Sequence, residues 1–94
     1  MPTDFTSIQN YYEHLVFEAV LEASGRYPAV KEDQLADVAC VALNRLPARY
    51  IRHKVDFAFY QTEKERADTE ASITEAISYA FEFVQARAAM RARR

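Results

Sequence analysis

Among its 94 residues the chain has one cysteine, one glycine, three prolines and no tryptophan. A lone cysteine excludes an internal disulfide and any Cys-x-x-Cys zinc or redox site, which fits a reducing compartment. A lone glycine excludes a Gly-rich phosphate loop, and no Gly-x-Ser-x-Gly nucleophile elbow or paired-carboxylate arrangement is present. The longest apolar run, Val38 to Leu43, is far short of the roughly 18 residues that a membrane span requires. The N-terminal Met1-Pro2-Thr3-Asp4 lacks a basic, apolar export signal. These absences predict a cytoplasmic, non-enzymatic protein with no membrane association.

What is present suits one compact domain over residues 1–94, with 50% hydrophobic and 28% charged residues. Twelve basic residues against fourteen acidic ones leave a net charge of -2, which argues against a general nucleic-acid coat. The charge is unevenly spread. Asp4, Glu13, Glu18 and Glu22 make the first quarter wholly acidic, whereas Arg45, Arg49, Arg52, His53 and Lys54 form a run with no acid. That run would attract an anion. The tail Arg87, Arg91, Arg93, Arg94 is also basic, but cations suit the last turns of a helix by complementing its dipole.

Apolar periodicity predicts a mainly helical fold of three to four helices. Ile8, Tyr11, Tyr12, Leu15, Val16, Ala19 and Ala23 mark one face of a first helix over about residues 7–24, closed by Gly25 in a left-handed conformation. A second helix starts near Glu32 or Asp33, runs through Leu35, Val38, Ala39, Ala42 and Leu43, and ends at Arg45 or Leu46, because Pro47 bars the helical region to its predecessor. From Val55 to Tyr60 the period changes to two, which reads as a short strand. With no partner strand in view, this segment either pairs with its own copy across a dimer or is helical. The last helix starts between Thr62, which has Glu65 three residues on as a capping box, and Asp68. Ile73, Ala76, Ile77, Ala80, Phe81 and Val84 form its core stripe, and Tyr79, Phe83, Ala86 and Met90 an adjoining one. The first helix carries a further patch, Phe17, Val20 and Leu21. Three small helices cannot cover all these surfaces, so a homodimer is expected.

Most of the chemistry-bearing residues have plain structural readings. Cys40, between Ala39 and Val41, reads as a buried hydrophobe. His14, one turn before Glu18, reads as a solvated helix residue, and with His53 and Cys40 it makes no metal-ligand set, so neither metal nor cofactor is expected. The segment Asn44-Arg45-Leu46-Pro47-Ala48-Arg49-Tyr50-Ile51-Arg52 differs: it places an amide, three guanidiniums and an aromatic ring around a proline-stopped helix end. A guanidinium fork suits phosphate or the O6/N7 edge of guanine, and an aromatic ring stacks on bases. The competing reading is a solvated helix end whose arginines neutralise terminal carbonyls.

The stretch Ala42-Leu43-Asn44-Arg45-Leu46-Pro47-Ala48-Arg49-Tyr50 resembles the Ala-Leu-Asn-x-Leu-Pro-x-Arg-Tyr hallmark of the late-competence ComFB family. Asn10-Tyr11-Tyr12-Glu13-His14-Leu15-Val16 is similar to the Asn-Tyr-x-Glu-x-x-Val opening of that family's first helix. The resemblance implies a small, helical, homodimeric bacterial protein, some of whose relatives are receptors for cyclic dinucleotides such as cyclic di-GMP. Many relatives carry zinc-binding cysteines between the first two helices; residues 26–36 have none here, so zinc is not carried over. The usual second proline of Pro-Pro-Arg-Tyr is Ala48.

Charge and resemblance together give the leading expectation, a regulatory receptor for a cyclic dinucleotide, cyclic di-GMP or cyclic di-AMP, held by Asn44, Arg45, Arg49, Tyr50, Arg52 and His53. The alternative is a dimeric protein-interaction adaptor that uses the apolar surface, with the downstream partner open in either case. DNA binding is disfavoured by the acidic total and by the lack of a groove-reading helix.

Overall fold

The computed structural model describes residue 3, residues 5–52 and residues 61–92 of the chain. The strand expected between Val55 and Tyr60, and the candidate ligand residue His53, lie outside the described residues. The described part is mainly helical, with three α-helices and one two-stranded antiparallel sheet.

The first helix, α1, spans Tyr12–Ala23. It starts later than periodicity suggests, because Gln9–Asn10 is a strand (β1) and Ile8 stands outside the helix, 49% exposed. The core stripe is correspondingly narrower: Tyr12, Val16, Val20 and Ala23 are buried, with Tyr11, Leu15 and Ala19 packed at its edges. Val20 therefore belongs to the core and not to an outward patch with Phe17 and Leu21, which are exposed.

The end of α1 also corrects the expectation. Gly25 has no positive φ; the helix tightens into a 3-10 turn over Ser24–Arg26. The Ser24 hydroxyl donates to the Leu21 carbonyl at 2.7 Å, and the Tyr27 N–H closes the turn on the Ser24 carbonyl at 3.1 Å. A Cβ at position 25 would meet nothing within 4 Å, so neither φ nor space demands glycine there.

The second helix forms where acidic residues and proline bracket it. A 3-10 turn over Glu32–Gln34 leads into α2, Leu35–Arg45. The Gln34 side chain accepts from the Lys31 N–H at 2.8 Å, which satisfies a backbone donor ahead of the turn. At the far end Leu46 is extended, with φ -97° and ψ 144°, as a residue before proline must be. Tyr50–Ile51 then forms strand β2, which pairs antiparallel with β1 in the register Gln9 to Ile51 and Asn10 to Tyr50.

The last helix, α3, spans Glu63–Ala92. Thr62 caps it: its hydroxyl accepts from the Glu65 N–H at 3.0 Å, which selects the earlier of the two expected starts. Ile73, Ala76, Ile77, Ala80, Phe81 and Val84 turn inward against Val38, Ala39, Ala42 and Leu46 of the α2 segment and the buried stripe of α1. Tyr27, in the connection after α1, lays its ring flat on Phe81 at a centroid distance of 4.3 Å. Three small alanines, Ala39, Ala42 and Ala76, let the helices approach closely. No described helix is long and apolar enough to cross a membrane.

Candidate functional site

The two sequence motifs meet in space, through the side chain of Asn10. Its Oδ1 accepts from the Tyr12 N–H at 3.2 Å, the first amide of α1, and from the Arg49 N–H at 3.1 Å, across the turn after α2. The Tyr11 N–H donates in turn to the Arg49 carbonyl at 2.6 Å. The backbone of Arg49 is thus held on both its donor and its acceptor. Pro47 restricts the approach and buried Leu46 anchors it, so Arg49 leads into β2 in a fixed register against β1.

On this segment Arg49, Tyr50 and Arg52 are exposed, Tyr50 at 70%. Tyr50 borders a groove of about 720 Å³ between α1 and α2, together with Asn10, Glu13, Phe17, Leu21, Cys40, Leu43 and Asn44. The groove is chiefly apolar, and Glu13 is the charged residue lining it. Asn44 faces this groove but spends its amide on its own helix, donating to the Cys40 carbonyl at 2.9 Å. Cys40 is exposed, which overturns its reading as core filler: in an apolar run on a helix only the residues near the stripe of Val38 and Ala42 can face inward, and Cys40 falls on the outer side.

Arg45 departs from the expected cluster. Its Nη2 and Nε bind the Glu75 carboxylate at 2.7 and 3.1 Å, and its guanidinium carbon lies 3.9 Å over the Tyr79 ring. It therefore fastens the end of α2 to α3, away from the groove. The hydrogen bonds from Arg45 hold the Glu75 carboxyl below the usual carboxylate range, and those to Glu75 raise the Arg45 guanidinium. A carboxyl depressed on folding contributes stability that is present above its unfolded value and is lost as pH falls through its folded one. Acid titration of Glu75→Gln should therefore show a shallower loss of stability in the acid range than the wild-type chain, while the two slopes coincide at neutral pH. Equal acid slopes would mean that solvent screens this pair, both of whose side chains are about half exposed.

Of the six ligand residues expected, then, Asn44 and Tyr50 border one groove, Arg49 and Arg52 are exposed on the same segment as Tyr50, Arg45 is committed to α3, and His53 lies outside the described residues. Among the described residues no charged, amide or histidine side chain is buried, and no group of His, Cys, Asp and Glu is placed to hold a metal ion. The His14 imidazole meets Glu18 at 2.9 Å on the solvent side of α1, where sequence spacing put it. Sequence reading missed Asn10 as a positioning residue. The available signal was an asparagine just ahead of a helix, the residue type that satisfies orphan amides there.

The sequence model of the family described as late competence development protein ComFB matches residues 9–88. The chain belongs to the ComFB family. The matched span opens at β1 and includes both motifs, so the Asn10 bridge joins two segments within the family match. Membership makes this ComFB protein a competence-associated regulatory protein. No curated protein matches the sequence.

Proposed function

We propose that this ComFB protein is a non-enzymatic, homodimeric receptor for a cyclic dinucleotide, cyclic di-GMP in the first instance. One observation carries the reading: Arg49, Tyr50 and Arg52, all exposed, lie within four residues of one another on a segment whose backbone is held by Asn10 and restricted by Pro47. Holding the backbone in advance lowers the entropy lost on binding. Arginine forks pair with phosphate oxygens or the guanine edge, and the Tyr50 ring offers a stacking surface for a base. A two-fold ligand suits a two-fold protein, in which each copy contributes one such segment. Arg45 serves this arrangement indirectly, by fixing the end of α2 from which the segment departs.

Calorimetric titration with cyclic di-GMP, cyclic di-AMP and their linear counterparts tests the reading, with heat expected from a cyclic ligand alone. Arg49→Ala should weaken that binding by roughly tenfold, whereas Arg91→Ala, in the last turn of α3, should leave it within about twofold. Equal losses at both positions would indicate diffuse charge attraction in place of a site. The groove between α1 and α2 favours a second reading, an adaptor that takes an apolar segment of another protein, since its lining is apolar with an acidic residue at Glu13. Silence with every nucleotide would select the adaptor.

A further inference from the structure

The outer face of α3 carries Tyr79, Phe83, Ala86 and Met90, at successive intervals of four, three and four residues. That is the spacing of a coiled-coil seam. The residues lie about 120° around the helix from its core stripe, at about 100° per residue. They stay open to solvent: Tyr79 is 40%, Phe83 43% and Met90 69% exposed, and Ala86 is exposed as well. The seam is already ordered at its start. Arg45 covers one face of Tyr79 at 3.9 Å, and the Tyr79 and Phe83 rings stack at 6.0 Å. Small Ala86 then leaves room for a second helix to approach between the two larger side chains.

The charges beside the seam identify what covers it. Glu82 lies on one flank and Arg87 on the other, five residues further on, and neither makes an intramolecular ion pair among the described residues. In a parallel two-stranded pair, the residue preceding a seam position on one helix faces the residue five places later on its neighbour. Glu82 of one copy then meets the partner's Arg87, and symmetry repeats the pair. An antiparallel arrangement would bring like charges together. We infer that α3 pairs in parallel with α3 of a second copy of this chain, through Tyr79, Phe83, Ala86 and Met90, with Glu82 and Arg87 setting the direction. The inference rests on the homodimer in the functional reading above and names its interface, leaving the groove between α1 and α2 outside it.

Sedimentation equilibrium over a range of concentrations tests it, on the wild-type chain, Glu82→Arg, Arg87→Glu, the double variant, Phe83→Ser and Leu21→Ser. Each charge reversal should weaken the dimer roughly tenfold, because two attractive pairs become repulsive, and the double variant should return it to near the wild-type value. Phe83→Ser should weaken it roughly a hundredfold and Leu21→Ser little. All four positions are exposed, and circular dichroism checks that helicity is kept. A dimer insensitive to both reversals, or one that the double variant fails to restore, overturns the seam and leaves the homodimer standing. Dissociation by Leu21→Ser would place the interface on the groove, and a wild-type monomer at every concentration would remove the dimer itself.

Discussion

Replacing Phe81 by alanine should lower the unfolding free energy by about 3 to 5 kcal/mol, the range for truncating a large side chain in a closed core. Phe81 is fully buried and is among the largest side chains with no exposure. Its loss would remove the surface on which the Tyr27 ring lies at 4.3 Å, so the connection after α1 would lose its hold on α3 along with the core volume. Phe81 shares its core cluster with Val16 and Val38, which are fully buried and β-branched, so the surroundings have little freedom to relax into the cavity. Phe83→Ala, two residues away on the same helix, is the control, because that ring is 43% exposed and should cost the monomer under about 1 kcal/mol. Urea unfolding at a concentration where sedimentation shows wild-type and variant chains to be monomeric measures both without a contribution from association. A loss below about 1.5 kcal/mol at position 81, or equal losses at both positions, would contradict the packing described.

This pair of phenylalanines shows what the sequence could and could not disclose. The three helices were legible, since their apolar residues recur at helical spacing and Pro47 and Thr62 punctuate them. The assignment of Phe81 to the core stripe and Phe83 to an outward one was legible for the same reason. Val20 and Cys40 were not. Each stands in a locally apolar stretch, where rotation about the helix axis by a fraction of a turn decides burial and only the neighbouring helices fix that rotation. Gly25 was misread because glycine has the option of a left-handed closure without the obligation, and Ser24 offered a local hydrogen bond that closed the helix another way.

The site was legible in part, for a different physical reason. Guanidiniums and rings gathered after a proline stop are visible as composition, but composition does not say where each side chain goes. Arg45 stands at the end of α2 opposite Glu75, thirty residues away in the chain, and a bidentate partner combined with a ring beneath it outcompetes solvent for that guanidinium. The strands β1 and β2 are two residues each, too short for any alternation to register. What they bring together, the Asn10 bridge, depends on contact between segments 39 residues apart.

That bridge gives the second large effect. Asn10→Ala should cost about 2 kcal/mol of stability, because one side-chain oxygen satisfies two backbone amides, that of Tyr12 opening α1 and that of Arg49 after α2. The half-buried site admits water only in part, so solvent should not fully replace the lost acceptor. Asn10→Asp separates the acceptor from the amide group. A carboxylate oxygen accepts the same two bonds, and a negative charge at the start of α1 is favourable to the helix dipole, so this variant should keep near wild-type stability at neutral pH. The same two variants examine the proposed receptor site, since the bridge is what holds Arg49 in place before ligand arrives. Asn10→Ala should therefore reduce cyclic dinucleotide affinity at a temperature where it remains folded, with the loss appearing as a less favourable binding entropy, and Asn10→Asp should recover the direction of the segment. Chemical unfolding and calorimetry on the same preparations separate the two effects. Unchanged stability in Asn10→Ala would show that the bridge is replaced by water, and lost stability with intact affinity would show that ligand binding does not use the pinned segment.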